Sequence, residues 1–364
     1  MGAALLVLWA SVAAAAAAEA GGRLLVVERA TALTALAADG EAVWFAVVPP
    51  PPIQANPEAP PVFIPVRADG RSATGTAVLG LWTPEGAAWL TPLPGDVAQG
   101  GRNAYAISDI VPQDGGAWVT GPVNRPERPI GRYYLARVDR RGTARIAEAD
   151  DGTAALALAP AKEWPYVARG AERSGQASAA RITWPGRWAR DFVLAGPGGS
   201  FEWTPGHGLA PAPDGVWGVA HFRGTVRVDG ASARSPALKD LPFHAGPDGG
   251  LPPAALEALR QMLQAQPMPG LSAALVVRLD AQGKLLSLTT LAPDALHVGV
   301  STGAQGMDPA WIEVMPLLAS DPSGRAFVFG RYLHAIRAGR IRLVADETSE
   351  TDGHCFLASW EAAG

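Results

Sequence analysis

The sequence predicts an all-β fold built from five similar antiparallel sheets, and three observations support this prediction. The 364-residue chain has 42 Gly, 33 Pro and 12 Trp, a composition typical of many short strands separated by turns. A hairpin with an Asp-Gly type of turn recurs along the chain, and a second hairpin with a glycine turn follows each copy. Two hairpins make a four-stranded sheet, and such sheets must stack to bury both of their faces.

The first hairpin of each copy joins a small apolar strand to a strand that carries an aromatic residue. Asp-Gly pairs favour tight turns because glycine adopts positive φ without strain. In the first copy, Asp39-Gly40 separates Ala35–Ala38 from Val43-Trp44-Phe45. A degenerate copy from Ala155 to Ala168 lacks the Asp-Gly pair. The other copies place their turns at Asp114-Gly115, Asp214-Gly215 and Asp321-Pro322-Ser323-Gly324.

The second hairpin of each copy also has a glycine at its turn. The five copies predict a five-bladed β-propeller with four antiparallel strands per blade. The third copy, between Ala155 and Trp203, matches the pattern least well. The turn glycines of the first four copies are Gly86, Gly142, Gly199 and Gly283, and Gly364 stands where the fifth belongs.

The fifth copy has no segment after Gly364 that could serve as its fourth strand. Its third strand is Cys355–Trp360. Arg23–Val27, which follows a glycine pair, is similar to the fourth-strand segment Gly283–Leu286. We therefore expect the N-terminal strand to complete the last blade, because this pairing removes an open sheet edge and closes the ring. The alternative is that Arg23–Val27 is a separate edge strand.

Several segments resemble the secreted β-propeller repeat of bacteria that was first described in seven-bladed propellers. That repeat consists of glycine, an aromatic residue, Gly-Thr-x-x-x, and a strand that ends in Leu-Asp-x-x-Gly. Phe222–Gly230 with Ala274–Gly283 is the most similar segment, and Tyr134–Gly142 and Gly353–Trp360 are similar to parts of the repeat. The resemblance implies a propeller fold and an exported protein. It implies no catalytic residues, because the family shares none.

Residues 1–20 predict a secretory signal peptide. An apolar run ends in Ala18-Glu19-Ala20, a small-x-small cleavage pattern, although an uncleaved anchor is the alternative. We expect residues 21–364 to form one propeller domain in a secreted or periplasmic protein. Two insertions, 49–65 and 239–270, either decorate the propeller or form the rim of a binding site. The first is proline-rich and predicts an irregular loop, and in the second Pro252–Gln264 predicts a short helix.

Charge and cysteine content exclude several classes of partner. The formal net charge is −4, which gives no electrostatic footprint for nucleic acid or for an anionic membrane surface. The single cysteine, Cys355, cannot form an internal disulfide, and its apolar neighbours predict a small buried side chain. No metal-ligand spacing or cofactor motif is present in the sequence, so we expect no metal and no cofactor. We also expect the protein to be a monomer.

Candidate site residues are those that precede the first strand of each blade, because ligands of propellers usually bind over the central channel. The ligand-binding candidates are Asp109, Asp151, His207, Trp311 and Glu313, with Thr31 and Asp150 in equivalent positions. Two of them, Asp109 and Glu313, are the candidates for an acid and base pair in sugar cleavage. Trp184, Trp188 and Trp203 could stack on a sugar, but tryptophans in such strands are more often part of the core.

Three functions remain open from the sequence. The first, which we favour, is a non-catalytic exported propeller that binds a protein or a glycan. The second is a carbohydrate-active hydrolase, which requires two carboxyl groups within about 10 Å of each other. The third is a purely structural module of a surface assembly.

Overall fold

The computed structural model is all-β, which confirms the predicted class. It describes residues 25–50, 53, 62–93, 104–105, 107–125, 128–148, 155–162, 164–172, 179–237, 243–245, 254, 257–258, 261, 272–294, 296–298, 316–332, 335–338, 340–344 and 354–361. The chain forms two compact units, Met1–Asp150 and Asp151–Gly364. Among the described residues, no helix has the length and apolar character of a membrane span. The predicted signal peptide lies outside them.

The first unit contains two four-stranded antiparallel sheets, each formed by strands in the order of the chain, which we call the first and second meanders. A small three-stranded sheet and one short strand accompany them. The first meander comprises β2 (Ala32–Asp39), β3 (Ala42–Val48), β6 (Val78–Thr83) and β7 (Gly86–Pro92). The second comprises β9 (Asp109–Gln113), β10 (Gly116–Arg125), β11 (Arg128–Asp139) and β12 (Ala144–Glu148). The small sheet comprises β1 (Val27–Glu28), β4 (Val66–Ala68) and β5 (Arg71–Ala73), and β8 (Ala104–Tyr105) pairs with β10.

Both faces of the first meander are covered at β3, because successive side chains of this strand are buried on opposite faces. Trp44 and Ala46 pack in a core cluster with residues of the second meander, such as Tyr134. Phe45 and Val47 point to the other face and pack in a second cluster. A strand with apolar side chains on both faces needs a covering layer on each side. The first meander therefore has two such layers.

β1, the described part of the predicted N-terminal strand, pairs with a different segment from the predicted partner Cys355–Trp360. Val27 of β1 pairs with Ala68 of β4. The β4–β5 hairpin follows the first insertion and presents a free strand edge to β1. Val27 and Leu25 also pack against the cluster of Phe45 and Val47. Partial burial of these two side chains, together with the open edge, explains why the strand pairs here.

The second unit contains three further meanders. The third comprises β13 (Ala155–Ala159), β14 (Tyr166–Glu172), β15 (Ala179–Trp184) and β16 (Trp188–Trp203). The fourth comprises β17 (Leu209–Ala212), β18 (Gly215–Val228), β21 (Ala273–Asp280) and β22 (Leu285–Pro293). The fifth has three strands in the described residues, β24 (Leu317–Ser320), β25 (Ala326–Tyr332) and β28 (His354–Trp360). The remaining strands are β19 (Ala231–Arg234), β20 (Phe243–Ala245), β23 (Leu296–Val298), β26 (Ala335–Ala338) and β27 (Ile341–Val344).

The third meander has four strands, but its second hairpin is not where the sequence placed it. The predicted turn at Gly199 was wrong, because Gly199 lies inside the continuous strand β16. The turn is at Gly186, which has φ of +74°. Beyond Gly199, residues Ser200–Trp203 pair with Ala220–Arg223 of β18. This long-range pairing extends the strand where the sequence pattern suggested a reversal.

The prediction for Cys355 was wrong, because its side chain is exposed. Successive side chains of a strand point to opposite faces, so the apolar run Cys355-Phe356-Leu357 cannot be buried as a whole. Phe356 is buried in the core cluster shared by the fourth and fifth meanders, whereas Leu357 is 68% exposed. Burial of Phe356 therefore places Cys355 on the solvent side.

The second insertion contains the predicted helix in its described positions. Ala254, Glu257, Ala258 and Gln261 are helical and exposed. Their i, i+3, i+4, i+7 spacing places them on one face of the helix. Gln261 Nε2 donates a hydrogen bond of 3.3 Å to Glu257 Oε1 along this face. In the first insertion, Ile53 and Val62 form an antiparallel bridge.

Three turns share one detailed geometry, in which an aspartate at the end of a strand accepts backbone hydrogen bonds from residues two and four positions later. Asp139 accepts from the amides of Arg141 and Thr143, both at 2.9 Å. Asp321 accepts from the amides of Ser323 and Arg325, at 2.9 and 3.0 Å. Asp280 makes the same two bonds with Gln282 and Lys284. The glycine in fourth position of each turn is Gly142, Gly283 or Gly324.

Acid is expected to destabilise the turns at Asp139 and Asp321. The Thr143 and Arg141 amides lower the pKa of Asp139 below its ordinary value of 3.8, against a smaller effect of desolvation. For Asp321, the Ser323 hydroxyl and the Arg325 and Ser323 amides lower the pKa from the same value. A pKa lowered in the folded state stabilises the protein above the unfolded-state pKa, and this stabilisation is lost as pH falls through the folded value.

The measurement compares Asp321→Asn with the parent protein in urea titrations from pH 6 to pH 2.5. We expect the variant to have the lower midpoint at pH 6 and the difference to shrink below about pH 4. A difference that stays constant over this range would contradict the role of the ionised carboxylate.

Tryptophan indoles bond the turns of the neighbouring meander. In the first unit, Trp89 Nε1 of the first meander donates 2.7 Å to the carbonyl of Arg140 in the β11–β12 turn. In the second unit, Trp188 Nε1 of the third meander donates 3.0 Å to the carbonyl of Ala281 in the β21–β22 turn. Both tryptophans belong to the last strand of their meander, so the same contact joins consecutive meanders in each unit. The third and fourth meanders are also joined into one eleven-stranded sheet by the pairing of β16 with β18.

Candidate functional site

The candidate residues of the first unit lie at one end of two adjacent strands. β2 lies against β9. Arg140 in the β11–β12 turn forms a 2.6 Å ion pair with Asp39 at the end of β2. Asp139 beside it pairs with Gly116, just after the end of β9. The two strands therefore end on the same side, and their starts, with Thr31 and Asp109, lie together at the opposite side.

Asp109 is a buried carboxylate at the first position of β9, with 7% of the residue exposed. Its Oδ1 accepts a 2.8 Å hydrogen bond from the amide of Ile110. The preceding Ser108 donates its amide to the carbonyl of Thr120 at 2.8 Å. Thr120 Oγ1 in turn donates 2.7 Å to the carbonyl of Tyr134. Bonds across three strands therefore fix the backbone at this candidate carboxylate.

Thr31 hydrogen-bonds the start of β2 to the backbone at the beginning of the first insertion. Its amide donates 2.8 Å to the carbonyl of Val48, and its Oγ1 donates 3.0 Å to the same carbonyl. The hydroxyl also lies 3.4 Å from the carbonyl of Pro49. These contacts assign Thr31 a structural role in which its hydroxyl is occupied.

His207 is the described candidate of the second unit. It is exposed, in the turn that precedes β17. Its carbonyl accepts a 3.1 Å hydrogen bond from the amide of Leu318 in β24, and its own amide donates 3.4 Å to Thr204. The backbone of His207 is thus anchored between the starts of two first strands, while the imidazole faces solvent.

The strands β17 and β24 run in the same direction, as β2 and β9 do. Pro213, directly after the end of β17, lies against Gly324, just after β24, and Trp217 Nε1 of β18 donates 2.9 Å to the carbonyl of Gly324. The starts of both strands therefore lie together at the His207 side. β13 also lies against β17, so the first strands of three consecutive meanders are neighbours in this unit.

Four of the candidate residues lie outside the described residues. They are Asp150, Asp151, Trp311 and Glu313. The separation of Asp109 and Glu313, on which the hydrolase hypothesis depends, stays a prediction. Among the residues that the structure describes, no three His, Cys, Asp or Glu side chains group closely enough to hold a metal ion.

The tryptophans considered for sugar stacking are used in packing. Trp203 is fully buried, and its ring packs edge-on against Phe192 with centroids 5.1 Å apart. Trp188 is bonded to the β21–β22 turn and lies 5.8 Å from the ring of Tyr166. The ring of Trp184 is 5.2 Å from Tyr166. Trp203 is therefore part of the core, whereas Trp184 and Trp188 are half-buried and pack against Tyr166.

Two clefts were not anticipated from the sequence. In the first unit, a cleft of about 460 Å³ is lined by Val26, Glu28 and residues Arg67–Ser72. In the second unit, a cleft of about 330 Å³ is lined by Asp191, Val193 and residues Arg227–Ser232. The Asp229-Gly230 pair was the available sequence signal for the second cleft. Neither cleft includes a candidate residue of the strand starts.

Comparison with family models finds no match for this chain, and comparison with curated proteins finds none.

Proposed function

We propose that this chain is an exported, non-catalytic five-bladed β-propeller that binds a protein or a glycan at the cell surface or in the periplasm. The observation that carries the proposal is the succession of five antiparallel meanders. Within each unit, the first strands of consecutive meanders lie side by side. In a propeller the innermost strands of successive blades surround a central channel. The proposed blades are the five meanders, and the N-terminal strand Val27–Glu28 belongs to the first unit.

The proposed binding surface is the end of the meanders at which the first strands start. A rigid β scaffold presents such loops without further ordering, which lowers the entropic cost of binding. His207 supports this assignment best, because two backbone hydrogen bonds fix its position and its side chain is exposed. An imidazole can both donate to and accept from sugar hydroxyls or peptide groups.

A glycan array and a pull-down from cell-envelope extract test the binding function with the full chain. We expect a ligand in one of the two screens, and we expect His207→Ala to weaken its binding by about tenfold or more. The matched control is Gln282→Ala, an exposed turn residue at the opposite end of the strands. Failure of both screens would contradict the proposal, as would equal loss of binding in the two variants.

Small-angle scattering tests the ring. A compact chain of this length has a radius of gyration of about 21 Å. We expect a value close to this and a single maximum in the distance distribution. A distribution with two separated maxima would contradict a closed propeller while leaving the binding function open.

A further inference from the structure

The segment between β25 and β28 forms a hairpin that extends the sheet of the fourth meander. β26 pairs with the end of β22, and β27 pairs with β26. In the described residues β27 is the last strand of this eleven-stranded sheet. Its outer edge is therefore a place where a further strand can add.

The side chains of β27 are apolar and exposed on both of its faces. Ile341 is 65% exposed, Leu343 39% and Val344 59%. Proteins usually protect such an edge with charge, proline or a covering element, because an exposed apolar edge strand pairs with other chains. β27 contains one charged residue, Arg342.

The charge of Arg342 is held against its own sheet. Arg342 Nε donates to Asp294 Oδ2, and Arg337 Nε donates 3.0 Å to Asp294 Oδ1. Burial of Asp294 opposes ionisation, but the two guanidinium groups together hold the pKa of this carboxyl below its ordinary value. The carboxylate neutralises much of the positive charge. The edge is thus left without a free charge directed at an incoming strand.

The hairpin register shows which backbone groups face the open edge. Ala338 pairs with Ile341 across a two-residue turn, and Ile336 pairs with Leu343. These pairs exchange hydrogen bonds, so the groups of the alternate residues Arg342 and Val344 point outward. The carbonyl of Ala335, which pairs with Val344, accepts from Asp294 on the β22 side, as this alternation requires.

We propose that this chain self-associates by antiparallel pairing of β27 with the β27 of a second copy, about a two-fold axis at Leu343. In this register Arg342 exchanges backbone hydrogen bonds with Val344 of the second copy. The two Leu343 side chains face each other on one face of the joined sheet. The partner is thus a second copy of this chain, and the interaction surface is Ile341–Val344.

The charge pattern selects this register. A two-fold axis perpendicular to the sheet pairs only residues that point to the same face, so an axis that pairs the outward-facing residues of β27 passes through Arg342, Leu343 or Val344. An axis through Val344 would pair only Val344 among the outward-facing residues of β27 and leave the groups of Arg342 unused within the strand. An axis through Arg342 would place two arginines directly opposite each other, which is unfavourable. The axis through Leu343 places each arginine opposite a valine and uses all four outward-facing groups of each edge. The sequence alone predicted a monomer, and the exposed edge changes that expectation.

Sedimentation equilibrium of the full chain over a hundredfold concentration range is the primary test. Because a four-residue edge buries little area, we expect a reversible monomer–dimer equilibrium. Leu343→Lys and Leu343→Glu should each weaken dimerisation by about tenfold or more, and an equimolar mixture of the two should restore it. Leu286→Lys is the matched control, an exposed leucine on β22 that should leave dimerisation unchanged. A monomer at every concentration overturns the proposal, and so does a dimer that survives Leu343→Lys.

A cross-linking variant keeps the test independent of charge effects. In a Cys355→Ser background, Leu343→Cys places two thiols opposite each other in a pair that exchanges no backbone hydrogen bonds, the closer kind of cross-strand pair. With oxidised glutathione as the oxidant, we expect a disulfide-linked dimer from Leu343→Cys and little from Ile341→Cys. Equal cross-linking at both positions would rule out the register.

Discussion

Replacing Trp217 with alanine is expected to lower the free energy of unfolding of the second unit by about 4 kcal/mol. Trp217 is 2% exposed and belongs to the core cluster shared by the fourth and fifth meanders. Its Nε1 donates a buried 2.9 Å hydrogen bond to the carbonyl of Gly324. The guanidinium of Arg278 lies 5.5 Å from its ring centroid. Truncation therefore removes a large buried volume, a bond between two sheets and a cation–π contact.

The variant Trp217→Phe separates the contribution of the buried volume to the free energy of unfolding from that of the hydrogen bond. Phenylalanine keeps most of the packing but leaves the carbonyl of Gly324 without its donor, so we expect a loss of about 2 kcal/mol. Urea denaturation followed by far-ultraviolet circular dichroism measures both variants. Equal losses for Phe and Ala would mean that the hydrogen bond dominates. A loss below about 1 kcal/mol for alanine would refute the assigned role of the cluster.

The local turns could be predicted from the sequence because their chemistry is local. Asp39-Gly40 and Asp114-Gly115 lie at hairpin turns, and Gly40 and Gly115 have positive φ. The four strands of the first and second meanders follow from these turns and from the second glycine of each copy. A two-residue or four-residue turn depends on a few neighbouring residues, and their identity is visible in the sequence.

The third meander could not be predicted in the same way. Gly-Pro-Gly-Gly at 196–199 has the composition of a turn, yet it lies within β16. The difference is made by pairing with β18, whose partner residues lie about twenty positions further along the chain. The pairing of β1 with β4 is a further long-range choice between possible strand edges. Such choices depend on which surfaces are available in the folded chain.

Part of the candidate site was accessible to sequence reasoning. Counting strands placed Asp109 and His207 before or at the start of first strands, which is where they lie. The burial of Asp109 and the exposure of His207 were not predictable, since both depend on neighbouring strands. The role of Trp188 was also hidden, because its turn partner lies 93 residues away in the sequence.

Replacing Gly283 with alanine is expected to lower the free energy of unfolding by about 3 kcal/mol, from backbone strain and overpacking together. Gly283 has φ of +76°, and an added Cβ would lie 2.5 Å from Cδ2 of Trp188. The ring of Trp188 cannot move aside freely, because its Nε1 is bonded to the carbonyl of Ala281. The backbone of Gly283 is also held in place, because Arg190 Nε donates 2.7 Å to its carbonyl. Urea denaturation measures the loss.

Gly230→Ala is the matched control, because it has nearly the same backbone strain without the contact. Gly230 has φ of +79° and no atom within 4 Å of an added Cβ, so we expect a loss of about 1 kcal/mol. A Trp188→Leu background should bring the cost of Gly283→Ala close to this value, since the clash is removed. If Gly283→Ala costs the same with and without Trp188, the contact between the third and fourth meanders does not contribute. The excess over Gly230→Ala thus measures how tightly the indole holds the β21–β22 turn.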